Sequence, residues 1–285
     1  MKNTEQGIGQ NLKKIRKARK LTQKMLASGI CSQSVLSRIE TNQEIPNVLV
    51  FQQLCKRLGT TMDKVMLSEF TEIQAIQSFF DKMNNYLIHQ RYQEMASLFD
   101  ESQILTQLYL DTDLQLYFYY LGTVEFFVDQ DLDKAITTLK YSLAYTYTES
   151  KKEHVSSVEV QILGCLGRIY ADMNRMTLAE NYLTKSISLA VCLPSERATY
   201  EISKIFYHYA RYLYTQEAYL DTIDIAMKGV HWAIDRLSYY YVQELLQITG
   251  GSYEKLHEFE RAQFMYEKAQ SVKLFDRFEN GIYLS

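Results

Sequence analysis

Residues 22–40 read T-Q-K-M-L-A-S-G-I-C-S-Q-S-V-L-S-R-I-E, and the caps and spacings in this stretch predict two short helices joined by a tight turn. Thr22 is a good N-cap for a helix in which Met25, Leu26 and Ile30 turn inward and which ends at Gly29. Ser32 caps the next helix, over about residues 33–41, where Val35, Leu36 and Ile39 form one apolar stripe. Gln33, Ser34, Ser37 and Arg38 fall off that stripe. A helix that buries one face and shows amide, hydroxyl and guanidinium groups on the other can read the edges of base pairs in a major groove. Gln bonds adenine N6 and N7 there, and Arg bonds guanine O6 and N7. Gln33 and Arg38 are the expected base readers.

Upstream, Ile8, Leu12 and Ile15 recur at i, i+4 and i+7 among Lys13, Lys14, Arg16, Lys17, Arg19 and Lys20, the pattern of an amphipathic basic helix. Downstream, Pro46-Asn47 opens a fourth helix that runs through Leu58 and stops at Gly59, and Met62–Leu67 can form a fifth. Residues 1–67 are thus expected to be a five-helix DNA-binding domain. They carry twelve basic residues against four acidic ones, a charge of +8, which leaves −11 on the remainder of a chain whose total is −3. Lys13, Lys17 and Lys24 would add sequence-independent attraction to phosphates. Glu40 is expected inside the fold, since a carboxylate is repelled by a phosphate backbone.

The 285 residues include 11 Gly and 2 Pro, where average usage gives roughly 20 and 14. A chain this poor in turn-forming residues is expected to be all-α. Its 23 Tyr and 13 Phe argue against disorder. No window approaches a membrane span and the first residues lack an apolar signal core, so a cytoplasmic protein without a membrane partner is expected. Cys31, Cys55, Cys165 and Cys192 lack metal-ligand spacing and read as reduced core residues, and no metal or cofactor is expected. His89, His154, His208, His231 and His257 are scattered, and no nucleophile elbow, zinc helix or phosphate-binding glycine loop accompanies them, so no enzyme is expected.

Beyond the head, one signature recurs five times: Tyr92-Gln93-Glu94-Met95, Leu132-Asp133-Lys134-Ala135, Met176-Thr177-Leu178-Ala179, Tyr219-Leu220-Asp221-Thr222 and Phe259-Glu260-Arg261-Ala262. The spacings of 40, 44, 43 and 40 mark an internal repeat. A large apolar residue followed three positions later by a smaller one suits the tight crossing of paired helices. The first helices of the pairs fall at about 71–89, 114–130, 155–173, 197–215 and 239–256. Five pairs predict an α-solenoid with a concave surface lined by these first helices. Candidate groove residues are Gln161, Gly164 and Arg168 on the third, Lys204, His208 and Arg211 on the fourth, Gln243 and Gln247 on the fifth, and Tyr120 on the second. Long amides and guanidinium groups there could bond the main chain of a bound peptide.

Thr22, Gln23, Leu26, Ala27, Ser32, Gln33, Ser34, Ser37, Arg38, Ile39 and Glu40, with Pro46, resemble the helix-turn-helix of the phage-repressor class, the XRE or Cro/C1-type family. The resemblance implies a phosphate contact for Gln23 and a place near the DNA for Ser32. The repeats resemble divergent tetratricopeptide (TPR) repeats. Both halves together, with Arg91-Tyr92, Ile169-Tyr170-Ala171 and Ala210 through Tyr214 with Tyr219, resemble the RRNPP group of peptide-pheromone regulators. PlcR-like members look closest, and the Rgg-like branch shares the architecture. The chain departs from the PlcR-like pattern at Gly164 and His208, which stand at positions resembling Asn sites of that group, and at His89 and Gln90, where basic residues are expected.

The resemblance implies a homodimer that binds double-stranded operator DNA and takes a short signalling peptide in the TPR groove. The organisation it suggests is a helix-turn-helix domain over 1–67, a helical linker over 68–78 and a TPR-like peptide-binding and dimerisation domain over 79–285. A protein-interaction scaffold or response-regulator modulator, with a head that is not the functional DNA reader, is the alternative.

Overall fold

The computed structural model describes residues 7–67, 71–101, 103–148 and 155–279. The N-terminal Met1–Gln6, residues 68–70 of the expected linker and His154 lie outside them. Within the described residues there are fifteen α-helices and no strand. The chain divides into two compact units, Met1–Phe79 and Phe80–Ser285.

The first unit holds α1 (Ile8–Ala18), α2 (Gln23–Ala27), α3 (Gln33–Glu40), α4 (Val48–Arg57) and α5 (Met62–Leu67). Thr22 and Ser32 cap α2 and α3 as expected, accepting from the backbone N–H of Met25 and Val35, and Asn47 caps α4. Leu12, Leu26, Leu36, Ile39, Phe51, Leu54, Leu58 and Val65 form the core. Two expectations are corrected here. Met25 is 55% exposed rather than inward, because α2 ends at Ala27 after barely more than one turn. Arg16 is buried rather than solvated.

The second unit is the repeat array. Its first helices are α6 (Thr71–Ile88), which enters it from the first unit at Phe80, α8 (Asp111–Val124), α10 (Ser157–Asp172), α12 (Ser203–Thr215) and α14 (Val242–Lys255). Their partners are α7 (Tyr92–Glu101), α9 (Leu132–Ala144), α11 (Met176–Val191), α13 (Tyr219–Ile234) and α15 (Phe259–Glu279). The residues that close the five signatures, Met95, Ala135, Ala179, Thr222 and Ala262, are all buried at the crossings. Residues 71–78 of the expected helical linker form the start of α6, on the first unit's side of the boundary.

The turn inside each pair is built alike. Gln90, Gln130, Asn174, Glu217 and His257 adopt left-handed φ angles between 55° and 62°, each five residues before the closing residue of its signature. The residue after the turn donates its N–H back to the carbonyl five positions earlier, as in Arg91 to Tyr86, Arg175 to Tyr170, Ala218 to Leu213 and Glu258 to Tyr253. This is the Schellman arrangement, which satisfies the orphan carbonyls at a helix end. In the second pair a π turn, Glu125–Asp129, extends α8, and Asp131 reaches back to Glu125, one residue further than in the other pairs. None of the five left-handed residues is glycine, which is one reason so helical a chain needs so few.

All four cysteines are free; Cys55 and Cys165 are buried, but Cys31 is half-buried and Cys192 is exposed. The expectation that all four are core residues is corrected for the last, which caps the solvent end of α11.

Candidate functional sites

In the head, the outer face of α3 rests on a chain of bonds that begins in the core. Arg16 on α1 donates from Nε to Glu40 Oε1 at 2.5 Å and from Nη2 to Glu40 Oε2 at 2.7 Å, and its Nη1 reaches the carbonyl of Leu21 at 2.8 Å. The bonds to Glu40 hold the Arg16 guanidinium above its ordinary pKa. Glu40, placed inside the fold by the sequence argument, is 1% exposed. Gln23 then donates to Glu40 Oε2 at 2.9 Å and accepts from Gln33 Nε2 at 3.2 Å. The first expected base reader is therefore oriented from beneath, with its amide oxygen and one N–H left unbonded.

Ser32, Gln33, Ser34 and Arg38 are exposed on one face of α3, and Ser37 is half-buried beside them. The hydroxyls of Ser32 and Ser34 bond each other at 2.8 Å, so Ser32 serves as cap and as neighbour to the polar face. Arg38 is 55% exposed, and its Nε lies 2.8 Å from a Glu44 carboxylate oxygen in an ion pair. Lys17 and Lys24 are exposed and Lys13 is half-buried. Sequence reasoning did not assign Arg16 a role; its i+4 spacing from Leu12 is a signal that could have placed it on the inward face.

In the solenoid, most of the expected groove residues are enclosed. Tyr120, Gln161, Lys204 and His208 are 3 to 5% exposed, and Gly164 is buried. The structure brings several of them together through Tyr119. The Lys204 ammonium bonds the Tyr119 hydroxyl, which donates to Gln161 Oε1 at 3.3 Å, and Gln161 Nε2 donates to Ser157 at 3.2 Å. Burial holds Lys204 below the ordinary lysine pKa and His208 well below the ordinary histidine value, with the charges of Arg168 and Lys204 adding to the effect on His208. His208 Nδ1 has no hydrogen-bond partner. Burial also raises the Cys165 thiol beside Lys204, although the nearby cations pull it down.

Gly164 is a packing position. A Cβ there would collide with Ile205 Cδ1 and lie 3.2 Å from Ser186 Oγ, so the expected polar groove role does not fit its surroundings. Arg168 and Arg211 meet over one carboxylate: Arg168 Nε donates to Asp172 Oδ2 at 2.8 Å, and Arg211 Nη2 lies 3.3 Å from Asp172 Oδ1. Gln243 and Gln247 stand apart from these clusters. Gln243 lines an open groove of about 1030 Å³ with Arg91, Arg236, Tyr239, Tyr240 and Glu244, whereas Gln247 is exposed.

At one edge of this groove Gln90 donates to Glu244 at 3.2 Å, joining the first repeat to the fifth. Burial pushes the pKa of Tyr92, which lies near Tyr241, up to about 12. Sequence reasoning missed Asp172, Glu244 and Tyr241; only Asp172, one turn from Arg168, had a readable signal. Among the described residues no helix is long and apolar enough to cross a membrane, and no group of acidic, His and Cys side chains could hold a metal ion.

Comparison with known proteins places both units. Residues 12–65 match the HTH_3 helix-turn-helix family. No curated protein sequence matches the chain. Among solved structures, Bacillus thuringiensis PlcR in complex with the peptide PapR7 and DNA is 20% identical, with 98% of this chain and 99% of that one covered and a TM-score of 0.72. ComR from S. thermophilus, in complex with DNA and its signalling peptide ComS, is 14% identical over 93% of this chain and 92% of that one, with a TM-score of 0.60. The SHP pheromone receptor Rgg2 of Streptococcus dysgalactiae is 15% identical over 96% of each chain, with a TM-score of 0.54. The chain is a helix-turn-helix domain followed by a TPR-like helical solenoid, in a fold shared along nearly its whole length with the PlcR, ComR and Rgg2 structures.

Proposed function

We propose that this protein is a cytosolic, homodimeric transcriptional regulator whose head binds operator DNA and whose solenoid binds a short signalling peptide. The observation that carries the reading is the outer face of α3: Gln33, Ser34 and Arg38 point away from the core while the Arg16–Glu40–Gln23 chain orients Gln33 from below. Such preorganisation suits direct readout in a major groove. The shared fold with proteins solved on DNA and peptide supports the second half of the proposal. In a symmetric dimer, two heads address half-sites about one helical turn, or a multiple of it, apart. The peptide acts by favouring one arrangement of the solenoid over another.

Recovery of genomic DNA bound to the protein in its own cells tests this. Discrete sites for the wild type that vanish in the Gln33→Ala, Arg38→Ala double variant are the expected result; no sites for the wild type would sink the regulator. A peptide encoded beside such a site is the natural ligand for calorimetry. His208→Ala with Arg211→Ala is expected to leave DNA binding intact and weaken that peptide, and an unchanged peptide affinity would remove both residues from its site.

A further inference from the structure

The guanidinium of Arg38 is paired from one side only. Its ion pair with Glu44 closes at Nε, 2.8 Å from the carboxylate, so the terminal Nη1 and Nη2 groups remain available. Those two nitrogens form the fork that matches guanine O6 and N7. The carboxylate that holds Nε is itself on a fixed turn. Asn42 adopts a left-handed φ of 56°, the Gln43 N–H bonds the carbonyl of Arg38 at 2.9 Å, and the Thr41 hydroxyl bonds the carbonyls of Ser37 and Arg38. Asn42 Oδ1 also accepts the backbone N–H of Gly9 at 3.0 Å, tying the turn to α1. The other titratable group in the field of Glu44 is the Cys31 thiol, whose pKa it helps to raise.

A carboxylate at this edge of the recognition helix is otherwise a disadvantage, because it repels DNA phosphates. Resting on the reading of Arg38 as a base contact, we infer that Glu44 is a positioning residue for sequence specificity: it fixes the Arg38 side chain so that its terminal fork meets a base edge rather than wandering to a phosphate. The gain is in discrimination and the loss in overall affinity. Without Glu44 the guanidinium keeps its charge but loses its preferred direction, so binding becomes tighter on random duplex and less selective at one base position.

The test is selection of binding sites from a randomised duplex library by the full-length protein, comparing wild type, Arg38→Ala, Glu44→Ala and Glu44→Gln, with thermal unfolding to confirm that each variant folds. The base position that loses its preference in Arg38→Ala identifies the Arg38 contact. Glu44→Ala is expected to lower the preference at that position by up to about fivefold, the upper end for an exposed ion pair, while other positions hold and affinity for random duplex rises. Glu44→Gln, which removes the charge and keeps the length and shape of the side chain, should fall between the two. A Glu44→Ala profile identical to wild type, or weakened evenly at every position, overturns the positioning role. If Arg38→Ala changes no position, the positioning role falls while the regulator stands. If the wild type selects no sequence at all, both fall.

Discussion

His208 shows what a single enclosed side chain does to the whole energy balance. Its ring lies among Tyr207, Tyr241, Lys204 and Arg168, and burial with two nearby cations keeps the imidazole neutral well below its usual pKa. The unfolded chain takes up a proton near pH 6.5 that the folded chain refuses, so folded stability is lost as the pH falls below about 6.5. The limiting slope for one such group is about 1.4 kcal/mol per pH unit. Urea midpoints at pH 7.5 and 5.5 should therefore differ more for the wild type than for His208→Gln; equal differences would show that His208 protonates freely in the fold.

At the scale of helices, close approach and turn geometry carry the array. Gly164→Ala should cost about 1–3 kcal/mol by overpacking α10 against α12, and Ile205→Val, which deletes the methyl in the way, should recover part of that loss when combined with it. A double-mutant cycle in denaturant measures the coupling, and strict additivity would mean that the helices simply move apart. In contrast, Glu217→Gly at an exposed left-handed turn should stabilise the protein by about 0.5–1 kcal/mol, since glycine bears no steric cost at that φ. A lowered midpoint would show that the turn does not limit stability there.

The same scale explains what the sequence could and could not reveal. Helix pairs and turn positions were readable, because the closing residues at 95, 135, 179, 222 and 262 are set by a local crossing that repeats. The fate of the polar stripe on α12 was not. A period of 3.6 residues shows that Lys204, His208 and Arg211 share a side of one helix. It does not show that residues from other helices, such as Tyr119 and Tyr241, cover the first two while leaving Arg211 partly open. In the head the outer face of α3 was legible for the complementary reason: the stripe of Leu36 and Ile39 is complete in itself, and the residues opposite it stay exposed within that unit.

For the molecule as a whole, two compact units mean that damage can be confined. Glu40→Ala leaves the Arg16 guanidinium buried without its carboxylate, a loss of about 3–5 kcal/mol, which is a large share of what a small helical domain has. Calorimetry of the full chain should then separate into a lowered transition for the head and a nearly unchanged one for the solenoid, with most of the helical signal surviving the first. A single transition that shifts as a whole would show that the units unfold together.

The five left-handed turns also bear on how such an array changes length. Each joint is closed mainly by main-chain hydrogen bonds and accepts Gln, Asn, Glu or His alike, so apart from Gln90, whose side chain also bonds Glu244, little in the side-chain sequence ties a joint to the rest of the array. Duplication or excision of the segment between Asn174 and Glu217 would join one such turn to another of the same backbone shape. Gene rearrangement could lengthen or shorten the solenoid by whole repeats without inventing a new connection, and the residues at the joints would remain free to diverge.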